Sequence, residues 1–372
     1  MSDDDLPAPD QAPGAPHPRE TAQLFGQERA EQDFLSAFNT GRMHHGWLLT
    51  GPEGVGKATL AWRIARFLLA TPPVQDDGLF GAPPPPASLD IDADHPVARR
   101  MLAGADPGLA CVTRSANDQG RLRDQIVVDD IRKLTRFFGL SAADGGRRVV
   151  IVDAADEMNV SAANALLKML EEPPARTTIL LIAHQPTRLL PTIRSRCRTL
   201  RLTPLSPPQM TQALEQAGAE LPEDTAALSA LAAGSVGAAL RLLALDGLGQ
   251  YGRLVALLGT LPRLDRQAAL ALAESASGRG AADSFDQLLT LIDILLTRLA
   301  RTGATGQPPA PEAARGEAQV LGRLAPDPHK ARAWAALAAT VSARSRHGQA
   351  VNLDPAALVL DTVFKIQDTA AG

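Results

Sequence analysis

Apolar and polar positions along the chain alternate between helical and strand periods from residue 21 onward. Residues 30–38 have helical spacing, and Trp47-Leu48-Leu49-Thr50 is a short apolar run ending at a glycine. From Lys57 to about Ala70, Leu60, Ile64, Phe67 and Leu68 share one helical face. Strand, glycine loop and helix in that order open an α/β unit. Residues 71–95 lack periodicity and contain Pro83 to Pro86, the mark of a surface insertion or stiff loop, and regular structure is expected to resume near Ile126. The pattern then predicts a helix over 128–138 and a buried strand over 148–152. A helix over 161–172, stopped by Pro173-Pro174, is followed by strands over 178–183 and 199–202. Such alternation predicts a mostly parallel sheet covered on both faces.

After Pro204 the strand pattern ceases. Ser206 followed by Pro207-Pro208 reads as an N-cap with proline in the first turn, opening a small helical unit to about Leu245. Everything beyond is helical by pattern: Phe285, Leu288, Leu289, Ile292, Leu295, Leu296 and Leu299 repeat at three and four, and Asp354-Pro355 starts a last helix holding Leu358, Val359, Val363, Phe364 and Ile366. Residues 302–316 read as a loop between these helices. Residues 1–20, with Asp3, Asp4, Asp5, Asp10 and five prolines, read as a disordered tail. No internal repeat is present.

Length and charge narrow the function classes. A chain of 372 residues is long enough for two or three globular units. Its 37 basic and 41 acidic residues give a net charge of −4, which argues against unaided DNA binding, and 3% aromatic residues argue against a base-stacking platform. Cys111 and Cys197 are the two cysteines, without C-x-x-C spacing, so free thiols in a reducing compartment are expected. The N-terminus lacks a basic start and apolar run, and the longest uncharged apolar stretch, 226–240, is broken by Gly234 and Gly237 and too short to span a bilayer. A soluble, cytoplasmic chain with no membrane partner is expected.

Residues 51–59 read Gly51-Pro52-Glu53-Gly54-Val55-Gly56-Lys57-Ala58-Thr59 and fit a Walker A loop at seven of its eight positions. Glycines let backbone N–H groups curl around phosphate oxygens, and Lys57 adds positive charge. A glycine turn that merely joins strand to helix is the plain alternative. The eighth position calls for a Ser or Thr hydroxyl to bind magnesium, and Ala58 has none. Thr59 does not substitute, because one step along a helix rotates the side chain by about 100°. Val149-Val150-Ile151-Val152-Asp153 follows the Walker B pattern, with Asp153 placed to orient magnesium. The Glu that usually follows to activate water is replaced by Ala154, with Ala155 next. Asp156 and Glu157 lie past the strand end, where helix-start or solvated-turn charges are the plainer role.

Four segments resemble the AAA+ clamp-loader ATPases: Leu24-Phe25-Gly26-Gln27-Glu28, His44 to Pro52, Asn164 to Pro174, and the Ser195-Arg196-Cys197 triplet. The resemblance covers residues 21–246 well and the rest more loosely, through Asn352-Leu353-Asp354. It implies an α/β P-loop (AAA+, RecA-like) core over 21–205, an all-α three-helix lid over 206–246 and an all-α collar for oligomerisation over 247–372. It further implies that Arg196 is an arginine finger reaching the γ-phosphate of ATP on a neighbouring subunit, although Arg188, Arg194, Arg196, Arg198 and Arg201 also fit an ordinary basic edge. Departures from the family pattern matter too. With Cys111 alone between Walker A and Walker B, no zinc is expected. The sensor-1 region, Ile182-Ala183-His184-Gln185, lacks the usual Thr or Asn, and the sensor-2 region has Gly237 where arginine is expected.

The resulting expectation is a non-hydrolysing subunit of a pentameric clamp loader, which can hold ATP or ADP without cleaving it. Its implied partners are motor ATPase and clamp-opening subunits, the sliding clamp and, through the complex, primer-template DNA. An active AAA+ ATPase, favoured by Lys57 and Asp153, and a scaffold that binds no nucleotide stay open as alternatives.

Overall fold

The computed structural model describes residues 9–11, 14–21, 23–71, 84–139, 146–277, 282–350 and 353–372. Asp3, Asp4, Asp5, Pro83 and Asn352, singled out above, lie outside them. The chain divides into two compact units, one of residues 1–218 with Ser235–Gly237, the other of 219–234 with 238–372.

Among the described residues, the first unit is built on five strands: β1 (Gly46–Thr50), β2 (Leu109–Val112), β3 (Arg148–Val152), β4 (Thr177–Ala183) and β5 (Arg198–Arg201). Every pairing is parallel, in the order β2-β3-β4-β1-β5. Leu48 sits opposite Leu181, Leu49 opposite Leu200 and Val150 opposite Ile179. Trp47 to Leu49, Val149 to Val152 and all of β4 are buried, as expected where both faces of a parallel sheet are covered. Helices α1 (Glu28–Asn39), α2 (Lys57–Ala70), α3 (Pro96–Leu102), α4 (Val128–Gly139), α5 (Val160–Glu171), α6 (Pro191–Arg194) and α7 (Pro207–Gln216) complete the unit. At the start of α7 the Gln209 side chain accepts the Ser206 N–H at 3.0 Å, a capping contact that fixes where the helix begins.

Two elements were not expected from periodicity. Both α3 and β2 fall before Ile126, where no regular structure was predicted. In β2 only Val112 is buried, because an edge strand of four residues has little interior to face, so it carries no readable alternation. The expected disordered tail also differs in part. Pro18–Glu20 form a 3-10 turn whose preceding His17 stands edge-on to Trp62 of α2, ring centroids 5.5 Å apart. Arg66 donates to the Arg19 carbonyl at 2.7 Å, and His17 Nε2 lies 3.2 Å from Asp10. Specific ring and hydrogen-bond contacts order a segment whose composition alone cannot bury enough apolar surface.

The second unit is helical: α8 (Thr225–Ala232), most of α9 (Val236–Ala244), α10 (Gly247–Gly259), α11 (Arg266–Ser275), α12 (Ala282–Thr305), α13 (Glu317–Leu324), α14 (Pro328–Ala350) and α15 (Pro355–Ala371). Phe285, Leu288, Ile292, Leu295, Leu296 and Leu299 of α12 are buried as the repeat predicts, with Tyr251 and Trp334 among the fully buried rings. The loop expected from residue 302 begins only after Thr305. Among the described residues, no single helix is long and apolar enough to cross a membrane.

Candidate nucleotide site and arginine edge

In an open parallel sheet, ligands meet the carboxyl ends of the strands beside the point where strand order reverses. Here β1 lies between β4 and β5, and the residues following β1, β3 and β4 are Gly51 to Lys57, Asp153 and His184. The parallel topology therefore brings the Walker A loop, the Walker B acid and the sensor-1 position to one end of the sheet. Gly51, Gly54 and Gly56 have φ of 146°, 74° and 97°, the left-handed backbone that lets successive amides turn inward. Lys57 is 3% exposed, and its ammonium donates to the carbonyls of Gly51, at 2.8 Å, and Pro52. Burial lowers its pKa to about 8, while Asp153, Glu53 and Asp156 act in the opposite direction. Burial, with Asp10 adding negative charge, raises Asp153 to about 7 against the pull of Lys57. Ala58 continues α2 with no hydroxyl. The loop's amides and Lys57 thus fit a phosphate, whereas the donor set for magnesium is incomplete.

The acids beyond Asp153 have structural work. Asp156 accepts the backbone N–H groups of His184 at 3.0 Å and Gln185 at 2.8 Å, and Glu157 pairs with Arg114 at 3.0 Å. Neither is arranged as a free base for water. His184 has its Nδ1 buried without a hydrogen-bond partner, and burial followed by the nearby Lys57 charge lowers its pKa.

Sequence reading missed how the loop is held from outside. Ser235 Oγ donates to the Glu53 carbonyl at 2.8 Å, and the Gly237 N–H to the Gly54 carbonyl at 3.2 Å. A Cβ on Gly237 would stand 3.0 Å from Gly54 Cα, so the absent arginine of sensor 2 matches a place where backbone lies directly on backbone. On another side, Gln27 donates to Val55 and Thr203 carbonyls at 3.1 and 2.7 Å and accepts the Thr203 N–H at 3.1 Å. The only hint in the sequence was that Gln27 belongs to the opening motif.

Arg196 is not part of this constellation. It precedes β5, and its carbonyl lies 3.2 Å from a Cβ built on Gly46, the first residue of β1. The P-loop leaves the other end of β1, and five residues of strand span about 16 Å. Arg196 pairs with Glu171 at 2.9 Å, donates to the Thr192 carbonyl at 3.0 Å, and its side chain is 38% exposed. The neighbouring basic residues differ: the Arg198 guanidinium lies 5.2 Å from the Trp47 ring centroid. His45 Nε2 is 2.8 Å from the Leu170 carbonyl, which ties the end of α5 to the start of β1.

A family model described as DNA polymerase III, delta subunit, matches residues 26–206. The DNA polymerase III subunit delta' of Pseudomonas aeruginosa is 39% identical over 197 residues, covering 53% of this chain and 54% of that protein. That of Escherichia coli is 34% identical over 212 residues, 56% and 57% of the two chains. The gamma/tau subunit of Mycobacterium tuberculosis is 31% identical over 204 residues, 53% of this chain and 31% of that protein. The chain spans about half the length of the delta' relatives it matches. Among solved structures, a gamma subunit-related protein of Thermotoga maritima aligns over 91% of this chain and 100% of its own, with a TM-score of 0.40 and 15% identity.

Proposed function

We propose that this chain, which matches the DNA polymerase III delta subunit family over residues 26–206 and the delta' subunits over about half of its length, is an AAA+ clamp-loader protein and the non-hydrolysing, stator-like subunit of a replicative clamp loader. In this reading it joins motor ATPase subunits of the gamma/tau kind and a clamp-opening subunit in a ring that loads the sliding clamp on primer-template DNA. The core 21–205, lid 206–246 and collar 247–372 are its working parts, with the collar closing the assembly. Arg196 serves a neighbouring subunit, and a nucleotide held at residues 51–59 stays intact.

The observation that carries the reading is the separation of the two phosphate-seeking cations. Lys57 and Arg196 stand at opposite ends of β1, so a phosphate that meets Arg196 belongs to another chain. Ala58, Ala154 and the packing of Gly237 on Gly54 support the absence of turnover at this chain's own loop. Lys57 and Asp153 favour the second reading, an active ATPase, which phosphate release by the isolated chain would reveal.

The test is reconstitution with the other loader subunits, clamp and primer-template DNA. Arg196→Ala is expected to leave assembly intact and lower ATP turnover, since an arginine finger is worth about 10³–10⁵ at the site it serves. Unchanged turnover at saturating clamp and DNA refutes the role.

A further inference from the structure

Three motif segments of the sequence meet around Gly46. A Cβ built there would lie 3.0 Å from Leu170 Cδ2, 3.2 Å from the Arg196 carbonyl and 3.2 Å from Cys197 Sγ. The contact from His45 Nε2 to the Leu170 carbonyl adds a polar staple, with the ring nitrogen donating because a carbonyl can only accept. The Asn164 to Pro174 stretch, the His44-His45 pair and the Ser195-Arg196-Cys197 triplet therefore form one junction. From it, Glu171 and Thr192 reach the same guanidinium. Nη2 of Arg196 meets Glu171 Oε1 at 2.9 Å, and Nη1 donates to the Thr192 carbonyl at 3.0 Å.

An ion pair this exposed, with side chains 38% and 43% accessible, adds little to stability. Its consequence is geometric. Two anchors on different nitrogens define the plane of a rigid fork and leave its other N–H donors unclaimed by this pair of contacts. A long side chain without them distributes itself over many rotamers.

Resting on the reading of Arg196 as a finger in trans, we propose that Glu171 is a positioning residue for it: the carboxylate fixes the guanidinium plane so that the remaining donors meet the neighbouring subunit's phosphate in one orientation. Glu171 touches no phosphate itself. It acts on rate through the geometry of Arg196, as groups that hold a reacting partner in place do.

Steady-state ATP turnover of the reconstituted loader, with full-length chain, clamp and primer-template DNA, tests this. Glu171→Gln is expected to lower kcat about two- to fivefold, the bias that so exposed a pair can supply, with KM unchanged, and Glu171→Asp to recover part of the loss. In an Arg196→Ala background, Glu171→Gln is expected to change nothing further, and the melting temperature of the isolated chain to stay at the wild-type value. Wild-type kcat for Glu171→Gln beside a depressed Arg196→Ala overturns the positioning role and leaves the finger standing. A lowered melting temperature with losses that add to those of Arg196→Ala also overturns it, because that pattern belongs to a structural residue. If Arg196→Ala itself leaves turnover unchanged, the finger reading falls and this role with it.

Discussion

Glu317 is a heavily shared side chain of the helical unit, and removing it is a sharp test of how that unit holds together. It is 1% exposed and accepts hydrogen bonds from Tyr251 OH at 2.6 Å, Arg298 Nε at 2.6 Å, Arg298 Nη2 at 2.9 Å and the Ala313 N–H at 2.6 Å. One carboxylate thereby joins α10, α12 and the loop before α13. Its contact with Tyr251, after burial itself, pushes the phenol above its usual range. Glu317→Ala strands a guanidinium whose side chain is 11% exposed, a buried phenol and a buried amide. Breaking a buried ion pair from one side costs about 3–5 kcal/mol. Arg298 keeps its bond to the Pro311 carbonyl at 3.0 Å, which places the expected loss at about 3–4 kcal/mol. That is a large part of the 5–15 kcal/mol typical of a folded domain. Urea unfolding followed by helical circular dichroism measures it. The midpoint should fall sharply, while Glu317→Leu combined with Arg298→Met should recover only part of the loss, because no charge is left buried but the Tyr251 hydroxyl and the Ala313 amide stay unpaired. A loss below about 1 kcal/mol for Glu317→Ala, with unchanged slope, would refute the account.

Other predictions concern the P-loop end of the sheet. Asp153, raised to about 7, is favoured in its neutral form by the fold; its contribution to stability is full below the unfolded value near 4 and is lost as pH rises through 7. Asp153→Asn is therefore expected to match wild type at pH 4 and exceed it by about 2–4 kcal/mol at pH 8, and thermal melts showing the reverse order would exclude the assignment. Gly54→Ala places a Cβ at positive φ, into Ser235 Oγ and within 2.9 Å of the Gly237 backbone. A loss of about 2–3 kcal/mol is expected in unfolding experiments; neutrality would mean that Ser235–Gly237 do not press on the loop. Ala58→Thr restores the metal-binding hydroxyl but no base at Ala154, so the isolated chain should still release no phosphate at motor rates in a coupled assay.

Much of this molecule was legible along the chain. The apolar runs that became β1, β3 and β4 and the helix from Lys57 to Ala70 are local patterns, because buried parallel strands and amphipathic helices write their burial into residues two, three or four apart. The two Walker segments, with Ala58 and Ala154 as their departures, are local for the same reason. Edge strand β2 and short α3 escaped, since four or seven residues with few buried positions carry too little period. What only the tertiary structure decided are pairings between distant residues. Ser235 meets Glu53 across 182 positions, Gln27 meets Thr203 across 176, and Tyr251 meets Glu317 across 66. Residue type alone did not say whether Lys57 and Arg196 share a site, because both suit a phosphate; only the resemblance implied that they act apart. The parallel pairing of β1 with β5, with Trp47 opposite Arg198, places them at opposite ends of β1, and that pairing follows from which apolar faces find one another when the sheet assembles.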